Sequence, residues 1–183
     1  MNNPSAIVPG QSVGLIGLGL VGTALAKRLS SAGYQCIGFD VRHEAMLAFQ
    51  NVGFQTSASI EGMLKQTNVL VLAVFDTSGV MDVIAQIKQH WPTQKHALQP
   101  VLTLIDCSTG DPSKLAELAH QLSAEGIQFI EAPLSGSSVQ IENGQATLLL
   151  GGEDQDIESV RSVLNALATS QVHVGGAGMA AKA

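Results

Sequence analysis

Val13-Gly14-Leu15-Ile16-Gly17-Leu18-Gly19-Leu20-Val21-Gly22 reads as a buried strand, a glycine turn and the start of a helix. Gly17, Gly19 and Gly22 fit the G-x-G-x-x-G spacing of a dinucleotide site. Gly17 permits the tight strand-to-helix turn, Gly19 lets a pyrophosphate approach the backbone, and Gly22 lets the helix pack close to the strand. The helix start offers free N–H groups and a partial positive charge to phosphates. The run from Thr23 to Leu29 continues as a helix, with Gly33 as its C-cap. Residues 34–39 then read as a second strand ending at Asp40. Asp40 lies 23 positions after Gly17, near the roughly 20 expected of a ribose-binding acid. Without a ligand the same residues make a plain β-α-β unit. The combination of turn, helix, strand and acid favours dinucleotide binding.

Further along, the spacing predicts a helix over 44–49, a short strand at 54–56 and a helix over 59–65 capped by Ser59. Residues 68–74 form a continuous apolar strand, as in a parallel sheet covered on both faces. A helix over 78–89, a surface loop over 90–100 and a strand over 101–106 follow. Asp111-Pro112 reads as an N-cap with proline at the first helical position, opening a helix to about 125. Strands at 127–131, 146–150 and 172–174 surround a last helix over 154–168. Strands alternate with helices, so the fold class is α/β, a doubly wound, mostly parallel sheet of Rossmann type. Ligands in such sheets bind at the carboxyl ends of the strands. The expected organisation is an irregular arm over 1–10 and a dinucleotide-binding domain over 11–175.

Composition narrows the function. The 183 residues are 45% apolar but only 4% aromatic, so the core is aliphatic. The net charge of −6 argues against a nucleic-acid or anionic-membrane surface. Cys36 and Cys107 both fall on strands and read as small buried apolar residues. The five histidines lack ligand spacing, so no metal site is expected. The start has no basic segment followed by an apolar stretch, and no run of 18 apolar residues exists; a cytoplasmic location is the expectation.

Four blocks together resemble the N-terminal domain of the β-hydroxyacid dehydrogenases, the family of 3-hydroxyisobutyrate dehydrogenase, tartronate semialdehyde reductase and 6-phosphogluconate dehydrogenase. Gly17-Leu18-Gly19-Leu20-Val21-Gly22 is similar to the family fingerprint, with Val21 where methionine is usual. Asp106-Cys107-Ser108-Thr109 followed by Asp111-Pro112 resembles its D-x-S-T-x-x-P segment beside the nicotinamide. Ala132-Pro133-Leu134-Ser135-Gly136-Ser137, then Gly144, resembles its substrate-binding block, with Ser137 where a second glycine is usual. Gly176-Ala177-Gly178-Met179-Ala180-Ala181-Lys182 resembles the block that carries its catalytic lysine.

The resemblance implies an oxidoreductase that transfers hydride between a nicotinamide cofactor and a small 3-hydroxy acid. Hydride chemistry belongs to the nicotinamide, while the protein supplies position and a proton; Lys182 takes the proton role. Alone, Lys182 would read as a solvated lysine. Ser135, Gly136 and Ser137 would hold a substrate carboxylate, where an ordinary Ser/Gly turn is the plain reading. The expected cofactor set is Gly17, Gly19, Leu20, Val21 and Gly22, then Asp40, Val41 and Arg42, then Val74, Phe75 and Asp76, with Ser108 and Thr109. Asp76 reads equally as a helix cap, and Ser108 and Thr109 as a turn before a helix. Asp40 favours NAD because its carboxylate accepts ribose hydroxyls; Arg42 beside it keeps NADP open. Family members continue into an all-helical domain that closes the site and builds a homodimer, and residues 176–183 correspond to the start of the helix leading there. Two readings follow: the cofactor domain of a hydroxyacid dehydrogenase, or a naturally short NAD-binding module without turnover.

Overall fold

The computed structural model describes residues 7–91 and 101–183. The first half runs β1 (Ser12–Ile16), α1 (Leu20–Ser31), β2 (Gln35–Phe39), α2 (His43–Asn51), β3 (Gln55–Thr56), α3 (Ile60–Leu64), β4 (Val69–Leu72) and α4 (Thr77–His90). The second half runs β5 (Leu102–Asp106), α5 (Pro112–Ala124), β6 (Ile127–Glu131), β7 (Leu134–Ser135), α6 (Ser138–Glu142), β8 (Thr147–Gly151), α7 (Asp154–Ser159), α8 (Arg161–Leu167) and β9 (Ser170–Gly175). A 3-10 turn, Ala180–Lys182, follows.

Strands β1 to β6 are parallel, in the order β3-β2-β1-β4-β5-β6. The continuous apolar runs follow from a core on each face. In β4, Val69 and Val71 pack into one cluster with Leu25 and Leu29 of α1; Leu70 and Leu72 pack into the other with Val80, Ile84 and Ile87 of α4. In β5, Ile105 joins the first and Leu102 and Leu104 the second. A strand buried on both faces has no polar side to show. The chain leaves β1 towards β2 and β3, then returns to β4 on the other side of β1. This reversal opens a crevice at the carboxyl ends of β1 and β4.

The expected caps are present. Ser59 Oγ accepts from Gly62 N at 3.0 Å. Asp111 Oδ1 accepts from Ser113 N at 2.9 Å and Lys114 N at 3.1 Å, with Pro112 opening α5.

Four features depart from the sequence expectation. The sheet edge is not parallel: β8 runs antiparallel to β6 and β7, with β9 parallel beside it. The stretch after Pro133 holds β7 and α6 rather than a plain turn. The helix over 154–168 is two helices broken at Val160 (φ −119°, ψ 20°); the break leaves Ile157, Val160, Val163, Leu164 and Leu167 all buried. Trp91 is 2% exposed and belongs to the second core cluster, so the chain is not at the surface there. The rest of the expected loop, 92–100, and the arm up to residue 6 lie outside the described residues. Among the described residues no helix is long and apolar enough to cross a membrane.

Candidate cofactor site

The turn from β1 into α1 is set by close packing. Gly17 sits at φ +93°, and a Cβ there would stand 2.3 Å from Ala73 O at the end of β4. A Cβ on Gly22 would stand 1.9 Å from Gly17 O. Gly19 differs: its φ is −74° and no described atom lies within 4 Å of where a Cβ would be. The protein's own packing therefore does not require glycine at 19, and the space over that backbone is open. Nearby, α4 and α5 are capped by Asp76 and Asp111, whereas α1 has no side-chain cap among the described residues. Its first amides are open to an anion.

A cavity of about 810 Å³ lies in front of this turn. Its wall includes Gly17, Gly19, Leu20 and Val21 from the turn and Asp40, Val41 and Arg42 from the end of β2. Val74 and Phe75 contribute after β4, and Ser108 and Thr109 after β5. Leu20, Val41 and Phe75 are 80%, 85% and 95% exposed, the most exposed large apolar side chains among the described residues, and all three border this cavity. Exposed apolar groups gathered in one place are a mark of a ligand or interaction surface.

Asp40 is buried, and both carboxylate oxygens are engaged. Oδ2 accepts from Leu18 N at 2.8 Å and Arg42 Nη2 at 3.0 Å; Oδ1 accepts from Arg42 N at 2.9 Å and Nε at 3.1 Å. Burial pushes the Asp40 carboxyl up, but the Arg42 guanidinium and the Leu18 and Arg42 amides outweigh it and hold it below the usual range. The acid thus ties the glycine turn to the end of β2, with the half-exposed Arg42 side chain over it.

Ser108 is the stitch between β4 and β5. Its Oγ accepts from Val74 N at 3.0 Å and its amide donates to Asp106 Oδ1 at 3.0 Å. Burial pushes the Asp106 carboxyl from its ordinary 3.8 up to about 6; bonds from Ser108 pull it down and the Glu131 charge pushes it further up. Thr109 is exposed at the cavity mouth. Asp76 accepts from Gly79 N at 2.9 Å and does not border the cavity; Gly22 lies behind the turn. Asp82, Val83 and Gln86 of α4 border the cavity too, and sequence reading missed them. Only their 3–4 spacing from Gly79 could have placed them on one face.

Residues 12–176 match the family model described as the NAD-binding domain of 6-phosphogluconate dehydrogenase. The chain belongs to this family. The NAD-binding domain is 31% identical over 179 residues to human mitochondrial 3-hydroxyisobutyrate dehydrogenase, covering 93% of this chain and 50% of the relative. Among solved structures, 3-hydroxyisobutyrate dehydrogenase from Mycobacterium tuberculosis with L-serine superposes with a TM-score of 0.83 at 21% identity, covering 94% of this chain and 57% of that one. An imine reductase from Myxococcus stipitatus in complex with NADP+ superposes at 0.82 and 21% identity, covering 93% and 57%; its V8 variant in complex with NAD+ superposes at 0.81 and 22%, covering 94% and 57%. The chain spans about half the length of the curated relatives it matches.

The other expected residues of the NAD-binding domain lie beyond the cavity. Ser135 pairs with Thr147 on the antiparallel edge. Ser137 caps α6 reciprocally: its Oγ accepts from Gln140 N at 3.3 Å, and its amide donates to Gln140 Oε1 at 2.8 Å. This S-x-x-Q capping box was visible in the sequence and not used. Lys182 is exposed in the 3-10 turn, which packs on α5, β8 and β9.

Proposed function

We propose that this NAD-binding domain serves an oxidoreductase that transfers hydride between a nicotinamide and a small 3-hydroxy acid. The observation that carries the reading is the course of the chain after β9. It returns to Glu131, the last residue of β6, and so brings Lys182 to the same carboxyl edge of the sheet that holds the cofactor cavity. Ser135, Gly136 and Ser137 follow β6 at that edge as well.

The chain's own residues suit such a cofactor. The open amides of α1 and the bare backbone at Gly19 would hold the pyrophosphate. Leu20, Val41 and Phe75 would cover its rings, and Asp40 with Arg42 would meet the adenosine ribose. NAD ranks first, with NADP as the alternative. The bound nicotinamide supplies the hydride chemistry. Lys182 would give or take the hydroxyl proton, and the Ser135–Ser137 segment would hold the substrate carboxylate. A second reading, an NAD-binding module without turnover, is favoured by the exposure of Lys182 and by the Ser137 hydroxyl being engaged in its own helix cap.

These 183 residues alone are expected to bind NAD with negligible turnover, because in family members a helical domain closes the site. The test therefore measures NAD binding by calorimetry and NAD reduction with small 3-hydroxy acids in a polypeptide that includes such a domain, for the wild type and Lys182→Ala. Loss of turnover by two or more orders of magnitude in the variant, with NAD affinity unchanged, is expected. Tight NAD binding with no turnover by that wild type favours the module. Full turnover by Lys182→Ala removes the lysine from the mechanism.

A further inference from the structure

Glu131 ends β6 at 1% exposure, and it does not border the cofactor cavity. A carboxylate buried this far needs donors. Its Oε2 accepts from the Gly178 amide, and Oε1 is buried without a hydrogen-bond partner among the described residues, although the amides of Ala180 and Ala181 favour the charged carboxylate. All three belong to the short segment that carries Lys182. Charge-assisted bonds to backbone N–H groups are about twice as strong as neutral ones, so the Gly178 bond to a buried carboxylate forms a local anchor.

Shape supports the same seat. A Cβ on Gly178, at φ +87°, would stand 2.7 Å from Pro112 O and 2.8 Å from Ala116 Cβ on α5. A Cβ on Gly151 of β8 would stand 2.7 Å from Glu131 Oε2 and 3.2 Å from Ala180 N. The segment is thus pressed between α5 and the β6–β8 pair, and Ala180 is 3% exposed. The Lys182 charge acts on Glu131 from the end of the segment.

We propose that Glu131 is the positioning residue for Lys182. By holding the amide of Gly178 in a segment wedged between α5 and the β6–β8 pair, its carboxylate fixes where the lysine ammonium stands along the carboxyl edge of the sheet. The proposal rests on Lys182 being the proton-transfer group, but its test does not need turnover.

Two measurements on the full chain test it: amide hydrogen exchange resolved by residue, and the rate of Lys182 acetylation by acetic anhydride at one pH, read relative to Lys27 and Lys65. In Glu131→Gln the exchange of Gly178 is expected to be at least tenfold faster, with the sheet unchanged. The Lys182 rate changes relative to Lys27 and Lys65, because the segment that carries it is no longer held. Glu131→Asp, which keeps the charge and shortens the reach, restores both in part. Unchanged exchange with an unchanged relative rate at Lys182 overturns the proposal. Exchange that rises across the whole sheet overturns it too, because Glu131 would then be a general support. Should Glu131→Gln not fold, Gly178→Ala probes the anchor from the other side. Faster exchange confined to 178–182 with a moved Glu131 carboxyl resonance supports it, and an unmoved resonance overturns it. An inert Glu131→Gln beside an inactive Lys182→Ala removes the anchor and keeps the function. The reverse pattern removes the function and keeps the anchor.

Discussion

At the scale of single residues, the adenosine end of the cavity is governed by one ion pair. An aspartate at the end of β2 favours NAD because it can accept the ribose hydroxyls, and an arginine nearby favours NADP because it can grip a 2′-phosphate. Here the two residues hold each other, with all four donor contacts on Asp40 coming from Leu18 and Arg42. A ribose diol must take the carboxylate from the guanidinium, whereas a 2′-phosphate can take the guanidinium from the carboxylate. Arg42→Ala should therefore weaken NADP(H) by about tenfold or more and leave NAD(H) equal or tighter. Calorimetry with both cofactors reads this directly, and equal losses for the two would show that Arg42 does not meet the 2′ position. The sequence showed both residues but not their partnership. Composition and spacing carry no information on which way a guanidinium folds.

At the scale of elements, the β1–α1 unit separates packing glycines from a ligand glycine. Gly17→Ala should cost roughly 2–4 kcal/mol, from a positive φ and a clash with the end of β4. Gly19→Ala should cost under about 1 kcal/mol, since the backbone there is ordinary and the space is empty. Gly19→Ala should still lose most of its NAD affinity. Denaturant melts give the first pair of values and calorimetry the last; intact NAD binding by Gly19→Ala would mean the cofactor does not lie on that backbone. Most elements were legible because strands covered on both faces leave long apolar runs and because Ser59, Asp76 and Asp111 are side-chain caps. The antiparallel edge was not legible. Strand direction depends on which neighbour β8 meets, and Leu148 and Leu150 would be buried in either direction. In the site, the glycine turn and Asp40 were readable from spacing. The α4 wall was not, because Asp82 and Gln86 look like an ordinary polar helix face until the cavity is seen beside them.

At the scale of the whole molecule, Asp106 makes folding stability depend on pH. Its folded value of about 6 lies above its ordinary 3.8. The protonated form is the one the fold favours, so the contribution is fully present below pH 3.8 and is lost as pH rises through 6. The loss is on the order of 3 kcal/mol at neutral pH. Asp106→Asn should match the wild type near pH 4 and be more stable than it at pH 7, in parallel thermal melts. A difference that stays flat from pH 4 to 7 would remove Asp106 as its source. The sheet order carries another consequence. Strand β1, made before all the strands it pairs with, is not an edge strand: Gly14 pairs with Leu70 and Leu15 with Val71 across the reversal. During synthesis Val13 and Leu15 must wait, with one flank unpaired, for more than fifty further residues to leave the ribosome. Long-range parallel pairing is slow to close and exposes apolar strands meanwhile. A nascent chain that pauses between α2 and β4 is therefore the species most open to capture by chaperones or by other unfinished copies.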